Sequence, residues 1–219
     1  MGLGLNIESG GGSGGSFTPV CKYDARAGRI FRVDREQADG SWETKNVEIT
    51  SNFSAVMDLE NIEVGWALFQ AGVMPSLAMV KMGNALPDKP SDKHKQGFRL
   101  LMKLGKASGG DVREMAATAR CVLVSFDQLH DAYVAGVKDN PGKLPVVSLS
   151  GTTGITSEGK DKDGNKQSST NYQPIWKIDR WIDRPAELGG KGGDAPQEEP
   201  KPEPVKQPEP AAASGDEEF

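Results

Sequence analysis

The feature that most limits how this chain can fold is the proline-rich, acidic segment at its C-terminus. Residues 186–219 contain six prolines within "APQEEPKPEPVKQPEP" and end in "AAASGDEEF". Proline lacks a backbone donor and interrupts helices and sheets, and neighbouring carboxylates repel one another. We therefore predict that residues 186–219 form an extended, disordered tail, and that the folded core comes from the residues before it.

The N-terminal residues also differ in composition from a folded domain. Residues 1–16 contain the linker-like run "SGGGSGGS" and predict a flexible segment, whereas residues 17–185 carry nearly all the aromatic and β-branched residues. We expect one domain over residues 17–185. The chain has no run of about 18 apolar residues and no secretory signal pattern, so we expect no membrane contact and a cytoplasmic protein.

Charge is divided unevenly along the chain. The net charge is −5, but residues 186–219 alone carry −6, so residues 1–185 sum to +1. An acidic tail beside a body with basic clusters often accompanies the binding of polyanions.

The pattern of the body predicts mainly strands. The stretch "GRIFRVDR" (28–35) alternates, with Arg29, Phe31, Val33 and Arg35 on one side, and the Asp-Gly pair that follows favours a hairpin turn. Residues 111–137 change to helical spacing, after a possible N-cap at Asp111. This order predicts a mainly β protein with one helix, an OB-type five-stranded Greek-key barrel with extra hairpin and loop insertions. A generic β-sandwich fits the pattern almost as well.

Known catalytic and metal-binding motifs are not matched. The segment "GITSEGKD" (154–161) approaches a phosphate-binding loop, but Asp161 stands where a Ser or Thr must bind magnesium. The run "DKDGN" (161–165) lacks the spacing of a calcium loop. The two histidines, His94 and His130, and two scattered cysteines predict no zinc site. We therefore expect no enzyme activity, no metal and no cofactor.

Basic and aromatic residues interleave in three stretches of the body, residues 21–35, 81–106 and 172–181. Single-stranded nucleic acid presents phosphates to cations and unstacked bases to flat rings. Taken singly, each ring is more often a core residue, but together they predict a polyanion-binding groove. The predicted phosphate contacts are Arg26, Arg29, Arg32, Lys93, Lys95, Arg99 and Lys103. The predicted base-stacking residues are Tyr23, Phe31, Trp42, Phe98, Tyr172 and Trp176.

The last residues of the tail form a second candidate site. Asp216, Glu217, Glu218 and the terminal Phe219 combine clustered negative charge with one aromatic ring. A pocket rimmed by Arg or Lys on a partner protein could capture such a terminus. The same acidic tail could also act as a weak internal competitor for the groove.

These features together resemble the single-stranded-DNA-binding proteins, most closely those encoded by bacteriophages. The resemblance rests on "FTPVCKYDARAGRIFRVDR", on "WKIDRWIDRP" and on the terminal "GDEEF", which lacks the Ile-Pro that precedes Phe in bacterial members. It implies an OB-fold core without catalysis or metal, and a C-terminal tip, Asp216, Glu217, Glu218 and Phe219, that recruits replication or recombination proteins.

We therefore expect a protein that binds and protects single-stranded DNA without sequence preference during phage DNA replication or recombination, in the host cytoplasm. Two alternatives stay open: a structural or adaptor protein such as a virion or scaffolding component, and a DNA-annealing recombination factor. A homo-oligomer is also possible.

Overall fold

The computed structural model describes residues 18–71, 73–160 and 164–189, apart from the side chains of residues 38 and 160. In these ranges it contains ten strands and one α-helix. The strands are β1 (Val20–Asp24), β2 (Arg29–Ala38), β3 (Ser41–Glu48), β4 (Ser54–Met57), β5 (Glu63–Leu68), β6 (Ser76–Lys81), β7 (Lys95–Leu104), β8 (Val112–Ala117), β9 (Lys143–Lys160) and β10 (Lys166–Asp183), and the helix is α1 (Arg120–Val137). Short 3-10 helices occupy Thr50–Asn52, Leu59–Asn61, Lys106–Ser108 and Ala186–Leu188.

The ten strands form one sheet. Its main path runs β10-β9-β4-β7-β8-β1-β2-β3, and β5 pairs with both β7 and β6 beside that path. Every pairing is antiparallel except that of β1 with β8, which is parallel and has a single matched position, Val20 with Glu114. The strands β1, β2 and β3 therefore join the rest of the sheet along a narrow seam.

One face of the sheet is apolar and packs against α1. The inward-facing residues of the strands include Cys21, Ile30, Leu100, Met102, Met115 and Val147, all almost fully buried. The helix contributes Val122, Phe126, Leu129 and Tyr133, spaced three or four residues apart on one side. We call this face the inner face, and the opposite one the outer face. A second, smaller cluster lies on the outer face, where Leu188 packs with Val56, Leu144 and Val146.

The sheet curls but does not close. The backbone N–H of Tyr172 in β10 donates to the carbonyl of Ala25, in the turn between β1 and β2, with N and O 2.6 Å apart. No ladder of hydrogen bonds joins β10 to β3 within the described ranges. The predicted mainly β fold with one helix is confirmed in this form, as one large open sheet.

Two local predictions are wrong. Residues 112–117 were expected to be helical, but they form β8, because Arg113 and Met115 alternate inward and the strand pairs with β7. Residues 152–170, expected to be one of the loop insertions, are instead built mainly from the C-terminal half of β9 and the N-terminal half of β10, whose Thr156 and Thr170 hydroxyls hydrogen bond across the ladder at 2.9 Å. The folded region also extends to Leu188, past the predicted boundary at 185.

Among the described residues, no helix has the length and apolar character needed to cross a membrane.

Candidate nucleic-acid interface

The first three strands place basic and aromatic side chains on the outer face of the sheet, together with two carboxylates, Asp24 opposite Arg29 and Glu48 opposite Phe31. In antiparallel pairs, directly opposed residues point to the same side. Lys22 is level with Phe31, and Gln37 is level with Trp42. Alternation along β2 adds Arg29 and Arg35 to the same side. We call the five residues Lys22, Arg29, Phe31, Arg35 and Trp42 the β1–β3 outer face.

This surface is elongated along β2. Trp42 is level with Gln37, which lies eight residues along β2 from Arg29. At ~3.4 Å per residue, the surface from Arg29 to Trp42 is about 27 Å long. Side chains on one side of a strand recur at every second residue, so Arg29, Phe31 and Arg35 form a row. The arrangement is a linear track of charge and ring surface.

The two rings of the β1–β3 outer face differ in exposure. Trp42 is 69% exposed and lies just after the hairpin turn between β2 and β3. The two turn residues, Asp39 and Gly40, both have positive φ (48° and 81°), as hairpin turns of the primed type require, and this fixes Trp42 opposite Gln37. Phe31 is half-buried, with the Lys22 ammonium 5.8 Å from its ring centroid.

The cations here are open to solvent. Arg29 Nη1 lies 2.7 Å from Glu48 Oε2, and both side chains are largely exposed, so the pair contributes little and a phosphate can compete for the guanidinium. Lys22 has no carboxylate partner within the part of the chain that the structure describes. At least two cations on this surface, Lys22 and Arg29, are therefore available to bind an anion.

Arg26 and Tyr172 form a smaller exposed site beside the turn between β1 and β2. Arg26 is exposed, and the Tyr172 ring is 38% exposed and packs over Gly28, where a Cβ would lie 3.0 Å from the tyrosine Cβ. Gly28 has φ of +66°, so glycine serves both the turn and the close approach. Tyr23 lies beneath: its hydroxyl donates to the Tyr172 carbonyl at 2.9 Å, and burial raises the pKa of Tyr23 to about 12.

The outer face continues across β8 and β7, but its cations there are neutralised. Arg99 Nε lies 2.9 Å from Glu114 Oε2, and Lys103 Nζ lies 2.6 Å from Glu187 Oε1. The hydrogen bond from Lys103 lowers the pKa of Glu187. These two predicted phosphate contacts would have to give up a carboxylate before they could bind an anion.

Arg32 points away from the β1–β3 outer face. Its guanidinium lies 2.8 Å from Asp34 Oδ2, next to Arg113, which is almost fully buried. Arg113 Nη2 lies 2.6 Å from Asp34 and 2.7 Å from Asp111, and Arg113 Nη1 donates to the carbonyls of Val20 and Val33. This network spans β8, β1 and β2 at the narrow seam of the sheet, and it gives Arg32 a structural role.

Two of the predicted stacking rings belong to the core. Phe98 is only 3% exposed and packs against Phe126 with ring centroids 4.1 Å apart, so the prediction that it stacks on bases is wrong. Trp176 is half-buried against Phe53 and Phe126, and its Nε1 donates to Ser125 Oγ at 3.1 Å. Both rings lie on inward-facing positions of their strands, which explains their burial.

Lys93 and Lys95 are exposed but lie elsewhere. His94 between them is buried, with Nδ1 2.8 Å from Ser91 Oγ and Nε2 3.1 Å from Ser76 Oγ. The point of β7 nearest to β1 is Leu101, because its β8 partner Glu114 pairs with β1. Lys95 lies six residues, about 20 Å, further along β7 from that point. The predicted cations therefore do not line a single groove.

The structure thus brings together Arg29, Phe31 and Trp42, places Arg26, Tyr23 and Tyr172 at a neighbouring turn, and leaves the other predicted residues outside this surface. Lys22 and Arg35 were missing from the predicted site. Strand alternation was the signal that could have found them, because it puts Arg35 in the row with Arg29 and Phe31. The tail residues Asp216, Glu217, Glu218 and Phe219 lie outside the described residues.

Across the described ranges, no group of three or more His, Cys, Asp or Glu side chains is arranged to hold a metal ion. No protein-family model matches the chain, and neither a curated protein nor a solved structure matches it. A function for this chain is therefore inferred from the geometry and charge of its outer face.

Proposed function

We propose that this protein binds and protects single-stranded DNA without sequence preference, with the β1–β3 outer face as its main contact surface. The observation that carries the proposal is the row of cations and rings on one open side of β1, β2 and β3. Bases can stack on Trp42 and Phe31 while Lys22, Arg29 and Arg35 contact phosphates. Stacking contributes about 1–3 kcal/mol per base and does not depend on base identity.

The location of the rings supports DNA binding that does not depend on base sequence. Specific readout needs donors and acceptors placed against base edges. The β1–β3 outer face instead offers an indole that is 69% exposed, a phenyl ring and long basic side chains. A flexible single strand can lie along such a track, with the Arg26–Tyr172 site as its continuation.

The proposal extends to the fold. We infer that the curled sheet is an elaborated OB-type Greek-key barrel. Its additions are β5, β6, the C-terminal half of β9 and the N-terminal half of β10. Two features support this: α1 packs on the inner face, and the Tyr172–Ala25 hydrogen bond draws β10 toward the turn between β1 and β2. OB folds bind oligonucleotides on the exposed face of adjacent strands.

The proposed cellular role is the coating of single-stranded DNA during phage DNA replication or recombination, in the host cytoplasm. The C-terminal residues Asp216, Glu217, Glu218 and Phe219 would recruit partner proteins, since their composition suits capture by a basic, apolar pocket.

Fluorescence titration with oligo-dT tests the DNA-binding proposal. Binding should quench the tryptophan signal and weaken steeply with added salt, because bound cations release counterions from the strand. The Trp42→Ala substitution should weaken binding about 5- to 150-fold, the equivalent of one stacked base, and Arg29→Ala should also reduce the salt slope by about one phosphate.

Lys138→Ala, an exposed change at the end of α1 and away from the outer face, is the matched control and should leave binding unchanged. The absence of binding to oligo-dT at low salt would reject the proposal and favour a structural or adaptor protein. Equal losses from Arg29→Ala and Lys138→Ala would reject the β1–β3 outer face as the site.

A further inference from the structure

Among the described residues, three strands have only one partner strand, and one of these three lacks the usual protection against pairing. The edge strands are β3, β10 and β6. An exposed edge presents unpaired backbone donors and acceptors, and charged residues along it discourage association with another chain. β3 carries Glu43, Lys45 and Glu48, and β10 carries charges at both of its ends. β6 has the sequence SLAMVK, with Lys81 alone at its end.

The backbone of β6 is unpaired on the side away from β5. Its ladder with β5 covers all six residues. On the other side, within the described ranges, the one backbone hydrogen bond is from Asn84 N–H to the Lys81 carbonyl, which closes the following turn. The segment between β6 and β7 crosses one face of the hairpin, where Trp66 Nε1 donates to the Pro87 carbonyl, and does not pair with this edge.

Exposed apolar side chains lie at both ends of this edge. Met74 is 85% exposed and Val73 is 62% exposed before the strand, and Met82 is 41% exposed after it. Met74 and Met82 are each four residues from Ala78. An antiparallel copy of the strand centred on Ala78 would therefore place Met74 of each chain opposite Met82 of the other.

Charge is compatible with the same register. With Ala78 at the two-fold axis, the two Lys81 residues are six residues apart along the paired strands, about 20 Å. That exceeds the Debye length of about 10 Å at ordinary ionic strength, so they would not repel strongly. The small Ala78 side chain meets itself at the centre, where a bulky residue would crowd its own copy.

We propose that β6 is a homodimer interface, in which two copies of this chain pair their β6 strands antiparallel about a two-fold axis at Ala78. The pairing extends the sheet from one chain into the next, satisfies the unpaired backbone groups and buries Met74 against Met82 of the second copy. It needs no DNA and does not depend on the proposed function.

Sedimentation equilibrium of the full chain without DNA tests this interface with two matched variants. In M74E/M82E, two glutamates, one from each copy, oppose each other at both ends of the paired strands, and the mass should fall from two chains to one. M74K/M82E changes the same two exposed positions but sets a lysine opposite a glutamate, and it should retain the mass of two chains. Ser169→Glu, on the β10 edge, is the control and should also stay dimeric.

Three results would overturn the proposal: a wild-type protein that is monomeric up to its highest soluble concentration, an M74E/M82E variant that keeps the wild-type mass, or an M74K/M82E variant that is monomeric like M74E/M82E. All positions changed are exposed, and circular dichroism of each variant should match the wild type. The amides of Leu77, Met79 and Lys81 point away from β5, because they alternate with those that bond to it. Their protection from hydrogen exchange in the wild type, lost in M74E/M82E, would support β6 as the paired strand.

Discussion

The two sides of β2 carry similar residue types with different structural roles. On the inner side, Arg32 and Asp34 join Arg113 in an ion-pair network at the seam of the sheet. On the outer side, Arg29, Phe31 and Arg35 form a row beside Trp42, where the Arg29–Glu48 ion pair is largely exposed to solvent. An arginine in the network stabilises the fold, whereas an arginine in the row can bind an anion. Basic residues in a sequence thus indicate binding only after those fixed by internal carboxylates have been set aside.

The largest effect should come from removing the centre of the network. Arg113→Met leaves Asp34 and the carbonyls of Val20 and Val33 without their buried partner. We expect the free energy of unfolding to fall by about 3–5 kcal/mol, measured by urea denaturation. Arg180→Met, an exposed change on β10, should change it by less than about 0.5 kcal/mol. A small effect of Arg113→Met would mean that the seam does not depend on this side chain.

Buried and exposed aromatic residues can also be distinguished by their effects on stability. Phe98→Ala removes a buried ring and should cost about 3–5 kcal/mol of stability. Trp42→Ala removes an exposed ring and should change stability by no more than about 0.5 kcal/mol. Thermal or urea unfolding of both variants measures this difference. Comparable destabilisation by the two would contradict the assignment of Trp42 to an open surface.

A smaller effect is expected on the pH dependence of the free energy of unfolding, through Asp34. Burial alone would raise the pKa of Asp34, but hydrogen bonds from Arg32 and Arg113 outweigh it and hold this pKa below its ordinary value of 3.8. The ionised carboxylate therefore stabilises the fold above the unfolded-state pKa of about 3.9, and this contribution is lost as the pH falls through the lower folded-state value.

Unfolding at a series of pH values between about 5 and about 2 measures that contribution. Asp34→Asn should lower stability at neutral pH and make it fall less steeply with acid than in the wild type. Thr44→Ala, an exposed change on β3 that removes no titratable group, should keep the wild-type pH dependence. Identical acid profiles for Asp34→Asn and the wild type would show that Asp34 does not titrate as its ion pairs require.

The smallest effect on DNA binding should come from the tail. Deletion of residues 215–219 removes Asp216, Glu217, Glu218 and Phe219. DNA affinity should hold or rise slightly, since negative charge is lost, while binding to partner proteins disappears. Oligo-dT titration and pull-down with replication proteins measure the two quantities. A fall in DNA affinity would contradict a role for the tail as a competitor of DNA.

Much of the fold was predictable because alternation and turn chemistry act locally. The β2–β3 hairpin follows from "GRIFRVDR" and the Asp39–Gly40 turn, and the four core residues of α1 follow from their spacing. β8 was mistaken for helix because only its long-range pairing with β7 decides its conformation. The site was predicted in part: local pattern placed Arg29 and Phe31 together, but the burial of Phe98 and the carboxylate partners of Arg99 and Lys103 depend on strands distant in sequence.

The position of β4 has a consequence for how the chain is made. β4 lies between β7 and β9, and its partner residues in β9, Val146 to Ser148, follow it by about ninety positions in the sequence. Until those residues have been added, the apolar run SAVM lacks its partner on the β9 side. Folding of this region must wait until β9 has emerged from the exit tunnel, and slowing synthesis between β4 and β9 should increase the aggregation of nascent chains.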